Sequence, residues 1–213
     1  MLSQNILGDG GCLFTSLGIA LRCKRLLKLP QSCLNPQIDP LDGSCLESAH
    51  SGFQLRVAIV NWYMENLEQE IKNLGSFLEV KNPEDAKPWK AKDILNLELA
   101  RFHDVPENKE EQLKMIYQYL KYMTKFDSWG STPEYIAFSI LFDLPIKIWR
   151  KEENDIVCND SFPINSDNSI NILFCNGCHY EPLITQDEKK YLDDTYGKDL
   201  TKHYNKVYNV KTI

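Results

Sequence analysis

No apolar run in this 213-residue chain approaches the roughly 20 residues that a membrane-crossing helix requires, so no membrane span is expected. Positive charge is in deficit too: 24 Lys and Arg stand against 30 Asp and Glu, for a net charge of −6. Nucleic-acid binding needs a surplus of cations to replace the phosphate counterions, so that class is excluded. A basic protein partner suits the acidic balance slightly better. The opening stretch, Met1 to Leu7, has no basic residue and no long apolar core, so no signal peptide is expected. The seven cysteines follow no even framework, and without an export signal they read as reduced thiols in a cytoplasmic protein. Histidine is scarce, with four in the chain, and there is no internal repeat.

Against these absences the chain is long enough for one domain with a sizeable core, and a monomer is expected. Gly8, Gly10 and Gly11 mark a tight turn just before Cys12. From there Leu13, Phe14, Leu17, Ala20 and Leu21 recur at helical spacing, which puts Cys12 where a loop enters a helix. Residues 23–52 contain Pro30, Pro36, Pro40, Gly43 and Gly52 and read as a loop-rich insertion. The pattern Leu55, Ile59, Trp62, Leu67, Ile71, Leu74 predicts one long amphipathic helix ending near Gly75. Residues 76–108 are irregular apart from a short helix around 91–101, and another helix covers Leu113 to Met123. Thr132 is expected as the N-cap, with Pro133 at the first position, of an apolar helix carrying Tyr135 to Phe142. Strands are expected at 145–149, at 170–174 and, beyond the Asn176-Gly177 turn, at 179–184. The division is therefore α+β, with a polar extension over 186–213.

Cys12 and His179 are the residues in this pattern that suit nucleophilic chemistry. A thiol attacks a carbonyl as thiolate, and the start of a helix favours that anion. Backbone N–H groups of a Gly-rich turn can converge on a developing oxyanion. Of the histidines, only His179 follows a strand and a tight turn, and two-residue spacing puts Glu181 on its face of the strand. Asp9, one turn before Cys12, is the competing carboxylate. Alternatively Cys12 is a small core residue at a helix start.

The segment Asp9-Gly10-Gly11-Cys12-Leu13-Phe14 resembles the Asp-Gly-x-Cys-Leu-Phe motif of the ovarian-tumour (OTU) family of deubiquitinases. Gln54-Leu55-Arg56 is similar to the family's Leu-Arg helix start, and Trp129-Gly130-Ser131-Thr132-Pro133-Glu134 to its Trp-Gly-Gly-x-x-Glu-Leu element. Pro145-Ile146-Lys147-Ile148 matches the next strand, and His179-Tyr180-Glu181 falls where the family has His-aromatic-Asp or Asn. Glu181 and Ser131 depart from the family's Asp/Asn and Gly. The resemblance implies a papain-like fold over 1–185, a small central sheet packed between helices. It also implies thiol-dependent hydrolysis at the C-terminal glycine of ubiquitin or a ubiquitin-like modifier, with ubiquitin or polyubiquitin as partner and no cofactor. Cys12 would be nucleophile, His179 base, and Glu181 or Asp9 its orienting group, while Trp129, Gly130 and Tyr180 would flank the channel for the Gly-Gly tail. For a virus or an intracellular bacterium, the cytoplasm would be the host's. The alternative is an OTU-like module that binds ubiquitin with little catalysis.

One further motif overlaps the first. Cys175-Asn176-Gly177-Cys178-His179 fits the haem-attachment pattern C-x-x-C-H, but that chemistry requires export. Zinc is disfavoured because no second ligand pair lies at suitable spacing, so no metal is expected.

Overall fold

The computed structural model describes residues 1–3, 10–24, 49–72, 74, 89–125, 127–153, 155–163, 168–196 and 206–207. Its helices are α1 (Cys12–Cys23), α2 (Ala49–Asn66), α3 (Ala91–Ala100), α4 (Lys109–Met123), α5 (Thr132–Phe142) and α6 (Gln186–Tyr196). Its strands are β1 (Leu2–Ser3), β2 (Glu70–Ile71), β3 (Trp89–Lys90), β4 (Ile146–Glu152), β5 (Asp155–Phe162), β6 (Ile170–Cys175), β7 (His179–Ile184) and β8 (Lys206–Val207). Six strands form one sheet in the order β5-β4-β6-β7-β1-β8, and β2 pairs with β3 alone. Within the large sheet β4 and β6 run parallel, whereas β6 and β7 form an antiparallel hairpin.

Helix α1 is buried on nearly every side, from Cys12 to Cys23, with only Thr15 half-exposed, as expected of a helix whose apolar residues surround it. One flank meets α2, where Gly52 allows close approach: a Cβ there would stand 3.3 Å from the Thr15 nitrogen. Its other flank meets β7, where Ser16 Oγ donates to the Tyr180 carbonyl at 3.1 Å, both buried. Strand alternation divides the sheet's side chains. Ile170, Ile172 and Tyr180 join the main core with α1, α2 and α5, while Leu173, Leu183, Trp149 and Ile156 pack on the opposite face.

Arg56 is the largest fully buried side chain of α2, at 1% exposure. Its guanidinium donates to the Met123 carbonyl at 3.1 Å, to the Ser128 carbonyl at 2.8 Å and to Ser128 Oγ. It also lies 4.0 Å over the ring of Phe14 in α1. One side chain thus ties the two central helices to the segment that leads into Trp129.

Several sequence expectations are met: the helices at 12, 91–101, 113–123 and 132–142, and the three strands. The long helix expected from Leu55 to Gly75 instead ends at Asn66. Asn66 Nδ2 donates back to the Trp62 carbonyl at 2.7 Å, and the chain turns so that Ile71 pairs with Trp89. Leu67, Ile71 and Leu74 are buried as their spacing suggests, but by a short two-stranded ribbon, because burial alone does not distinguish the two. The N-cap of α5 is Ser131, one residue earlier than expected, since Glu134 accepts from the Ser131 N–H at 2.7 Å. Strand β5 was not expected; its Asp155, Asn159 and Asp160 mask an edge strand that buries only Ile156 and Phe162. Most of the expected insertion (25–48), residues 75–88 and much of the tail lie outside the described residues. Within the polar extension, α6 docks on α1 through Leu192, and β8 pairs with β1.

Replacing Arg56 by Met keeps most of the stem's volume but leaves the buried Ser128 carbonyl short of its donor. Unsatisfied buried groups cost about 1–3 kcal/mol each. Arg56→Met is therefore expected to lower stability by about 2–4 kcal/mol, read as a lower urea midpoint with an unchanged slope. A midpoint equal to that of the parent protein would show that the guanidinium contributes nothing.

Candidate active site

Cys12 is the first residue of α1 and is 3% exposed. Gly10, at φ +83°, and Gly11, at φ −86° and ψ 0°, turn the chain into the helix; opposite-handed residues in succession aim consecutive N–H groups to one side. Glycine is required at position 10, because a Cβ would stand 2.1 Å from the backbone oxygen of Asp127. A second close approach follows: a Cβ on Gly130 would lie 2.7 Å from Leu13 Cδ2 and 2.9 Å from Phe14 Cε2. The Trp129-Gly130 segment is therefore pressed against the start of α1, with the Trp129 side chain half-exposed.

His179 opens β7 directly after the turn at Asn176 and Gly177, both with left-handed φ (54° and 72°), the geometry that Asn-Gly favours. Glu181 stands on the same strand face, with Oε1 4.0 Å from His179 Nε2 and both side chains 14% exposed. That separation is beyond a hydrogen bond but close enough for electrostatic orientation. Tyr180 points to the other face and is buried in the main core beside Phe174, in the cluster that also holds Cys12. Burial and the nearby Glu134 and Cys12 push the Tyr180 phenol up. The Ser16 to Tyr180 hydrogen bond fixes α1, one turn beyond Cys12, to β7 at the neighbour of His179. Asp9 lies outside the described residues. Among the described residues, no group of three or more His, Cys, Asp or Glu side chains could hold a metal ion.

No family model and no curated protein matches the sequence. The fold does find relatives among solved structures. An OTU deubiquitinase from Wolbachia pipientis wMel superposes with a TM-score of 0.51 at 13% identity, over 87% of this chain and 89% of that one. The chain has the OTU fold. The viral OTU domain protease from Dera Ghazi Khan virus superposes with a TM-score of 0.50 at 17% identity, over 84% and 78% of the two chains. At such identities the likeness speaks for the fold alone.

Within this OTU fold, the sequence did not reveal what Ser16, Ser128, Tyr119 and Arg56 do. A serine four residues after Cys12 and an arginine in an apolar helix were the available signals. Glu134 also supports the Trp129-Gly130 segment from within the core. Its Oε2 accepts from the Ser131 N–H at 2.7 Å and its Oε1 from the Tyr119 hydroxyl at 2.8 Å. Burial pushes the Glu134 carboxyl up to about 7; the Ser131 N–H and the Tyr119 hydroxyl pull it down, and the charge of Glu98 raises it further.

This shift has a defined sign. The folded chain holds the Glu134 proton more tightly than the unfolded chain, where the group titrates near 4.5. Folding therefore loses stability as pH rises from 4.5 through about 7, by about 3 kcal/mol at 1.36 kcal/mol per unit. Glu134→Gln removes the titration. Relative to this variant, the parent protein is expected to lose about 3 kcal/mol between pH 4.5 and 7, measured by urea unfolding at both values. Parallel pH profiles would show that Glu134 does not titrate in that window.

Proposed function

We propose that the protein is a cysteine-type deubiquitinase that hydrolyses peptide or isopeptide bonds at the C-terminal glycine of ubiquitin, with Cys12 as nucleophile. The observation that carries this reading is the junction of a Gly-turned helix start bearing Cys12 with the strand bearing His179 and Glu181, inside an OTU fold. The helix end favours thiolate, and the Gly10-Gly11 turn aims backbone donors where an oxyanion would form.

With Nε2 turned toward Glu181, Nδ1 is the nitrogen left for the thiol. His179 takes the Cys12 proton, and the thiolate adds to the glycine carbonyl. His179 then passes the proton to the leaving lysine amine as the C–N bond breaks, leaving a thioester. In the second half His179 deprotonates water, which attacks the thioester and returns Cys12 as leaving group. Trp129, exposed beside Gly130, is assigned to the wall of the channel for the Gly-Gly tail. No step uses a metal or cofactor. Glu181 is the orienting carboxylate in this scheme, with Oε1 4.0 Å from Nε2.

A ubiquitin probe with a C-terminal electrophile is expected to label the parent protein covalently and to leave Cys12→Ala unlabelled but folded by circular dichroism. His179→Ala should lose nearly all hydrolysis of di-ubiquitin, since both proton transfers depend on it. Glu181→Ala should lose roughly 10- to 100-fold in kcat/KM, about 1.4–2.7 kcal/mol of transition-state stabilisation. Labelling that survives in Cys12→Ala would overturn the assignment of the nucleophile. Tight ubiquitin binding without cleavage by the parent protein would favour a binding module instead.

A further inference from the structure

Beside His179 the β6–β7 hairpin carries two thiols that the hydrolytic scheme does not use, Cys175 and Cys178. Cys178 N–H donates to the Cys175 carbonyl at 3.3 Å, closing a four-residue turn around Asn176 and Gly177. Such a turn holds its first and last Cα atoms within about 7 Å, and a disulfide spans Cα separations of about 4.4–6.8 Å. We propose that Cys175 and Cys178 form a reversible dithiol–disulfide site in the turn that carries His179, reactive toward small disulfides of the glutathione class.

Access supports this pairing, and among the described residues neither Cys158 nor Cys23 competes with it. Cys178 is exposed and Cys175 partly buried, and nothing lies within 4 Å of the place a Gly177 Cβ would occupy, so the outside of the turn is open to a reagent. Cys158 is paired with Trp149, which is paired with Leu173 of β6; two strand spacings, about 10 Å, put it out of reach of the turn. Cys23 is buried, and burial pushes its thiol up to about 12, leaving little thiolate to compete.

The exchange balances without any further reagent. The Cys178 thiolate attacks one sulfur of glutathione disulfide and displaces one glutathione, giving a mixed disulfide. The Cys175 thiolate then attacks the Cys178 sulfur, forming the Cys175–Cys178 bond and releasing the second glutathione. Two protein thiols are oxidised, one disulfide is reduced, and the two thiol protons end on the two glutathiones. A ring this small constrains the unfolded chain little, so the bond is expected to be readily reduced.

The consequence reaches the imidazole. Cys178 is bonded through the backbone to His179, and Cys175 is its direct cross-strand partner, on the same sheet face with Cβ atoms about 4.5–5.5 Å apart. Bridging the two draws the turn inward and moves the His179 ring relative to Glu181. This consequence rests on the reading of Cys12 and His179 given above; formation of the disulfide does not.

The test uses the full chain in glutathione buffers taken stepwise from reduced to oxidised. In Cys12→Ala/Cys158→Ser protein, alkylation and peptide mass analysis are expected to show a loss of two mass units confined to the segment holding Cys175 and Cys178. In the parent protein, the rate at which iodoacetamide alkylates Cys12 should fall about tenfold in the oxidised buffer and recover with dithiothreitol. Cys175→Ser and Cys178→Ser should each keep the reduced-state rate in both buffers. Absence of the two-mass-unit loss, or a bridge to any other cysteine, overturns the site, whatever the activity on ubiquitin. A bridge that forms while Cys12 alkylation stays unchanged overturns the link to His179. A bridge that slows Cys12 alkylation in a protein inert toward ubiquitin supports the site and counts against the deubiquitinase reading alone.

Discussion

A guanidinium carried into a protein interior loses hydration worth several kcal/mol, and the fold must return that through close, well-aimed partners. Arg56 meets the demand by drawing in the carbonyls of Met123 and Ser128 and by lying on the face of Phe14. Those partners come from two stretches that are distant in sequence, α1 and residues 123–128, so they are fixed relative to one another. Once Ser128 is held, Asp127 sits against Gly10, and Gly130 against Leu13 and Phe14. The turn that presents Cys12 is shaped from outside by this segment as much as by its own glycines.

A second polar group supports the same segment from the far side. Glu134 holds the Ser131 backbone in the core at the entry to α5, with Tyr119 of α4 on its other oxygen. Arg56 and Glu134 thus bracket residues 128 to 131, which leaves Trp129 the half-exposed side chain between two anchored neighbours. An aromatic held this way loses little conformational freedom when a ligand packs on it. The burial that makes Glu134 an anchor also pushes its carboxyl up to about 7, so the support of the Trp129-Gly130 segment is itself sensitive to proton activity.

The strand side of the site works by alternation. Because neighbours in β7 face opposite ways, Tyr180 anchors the strand in the main core while His179 and Glu181 remain together on the other face. The backbone of Tyr180 is in turn fixed to α1 by Ser16. The hairpin turn before β7 carries Cys178, with Cys175 at the end of β6.

Local chemistry was legible in the sequence wherever it was decided locally. The helix entered at Cys12, the Asn176-Gly177 turn, the apolar helix after residue 131 and the pairing of His179 with Glu181 all follow from turn residues, spacing and the two-residue strand period. The Gly-Cys-Leu-Phe and Trp-Gly segments could be named one by one. What they do together was not legible, because their contacts are closures between backbones and side chains more than a hundred residues apart. The sequence pattern at Leu67, Ile71 and Leu74 correctly announced burial but not its form, since a ribbon with Trp89 hides apolar residues as well as a helix does. Strand β5 and the docking of α6 were invisible for the complementary reason: polar sequences become strand or helix there through the neighbour they meet. The sequence by itself determined which residues have the chemistry of a thiol site. Tertiary structure alone decided that a buried arginine and a buried glutamate hold the Trp129-Gly130 segment against the start of α1, since only a folded interior makes the cost of leaving them unpaired large enough to position anything.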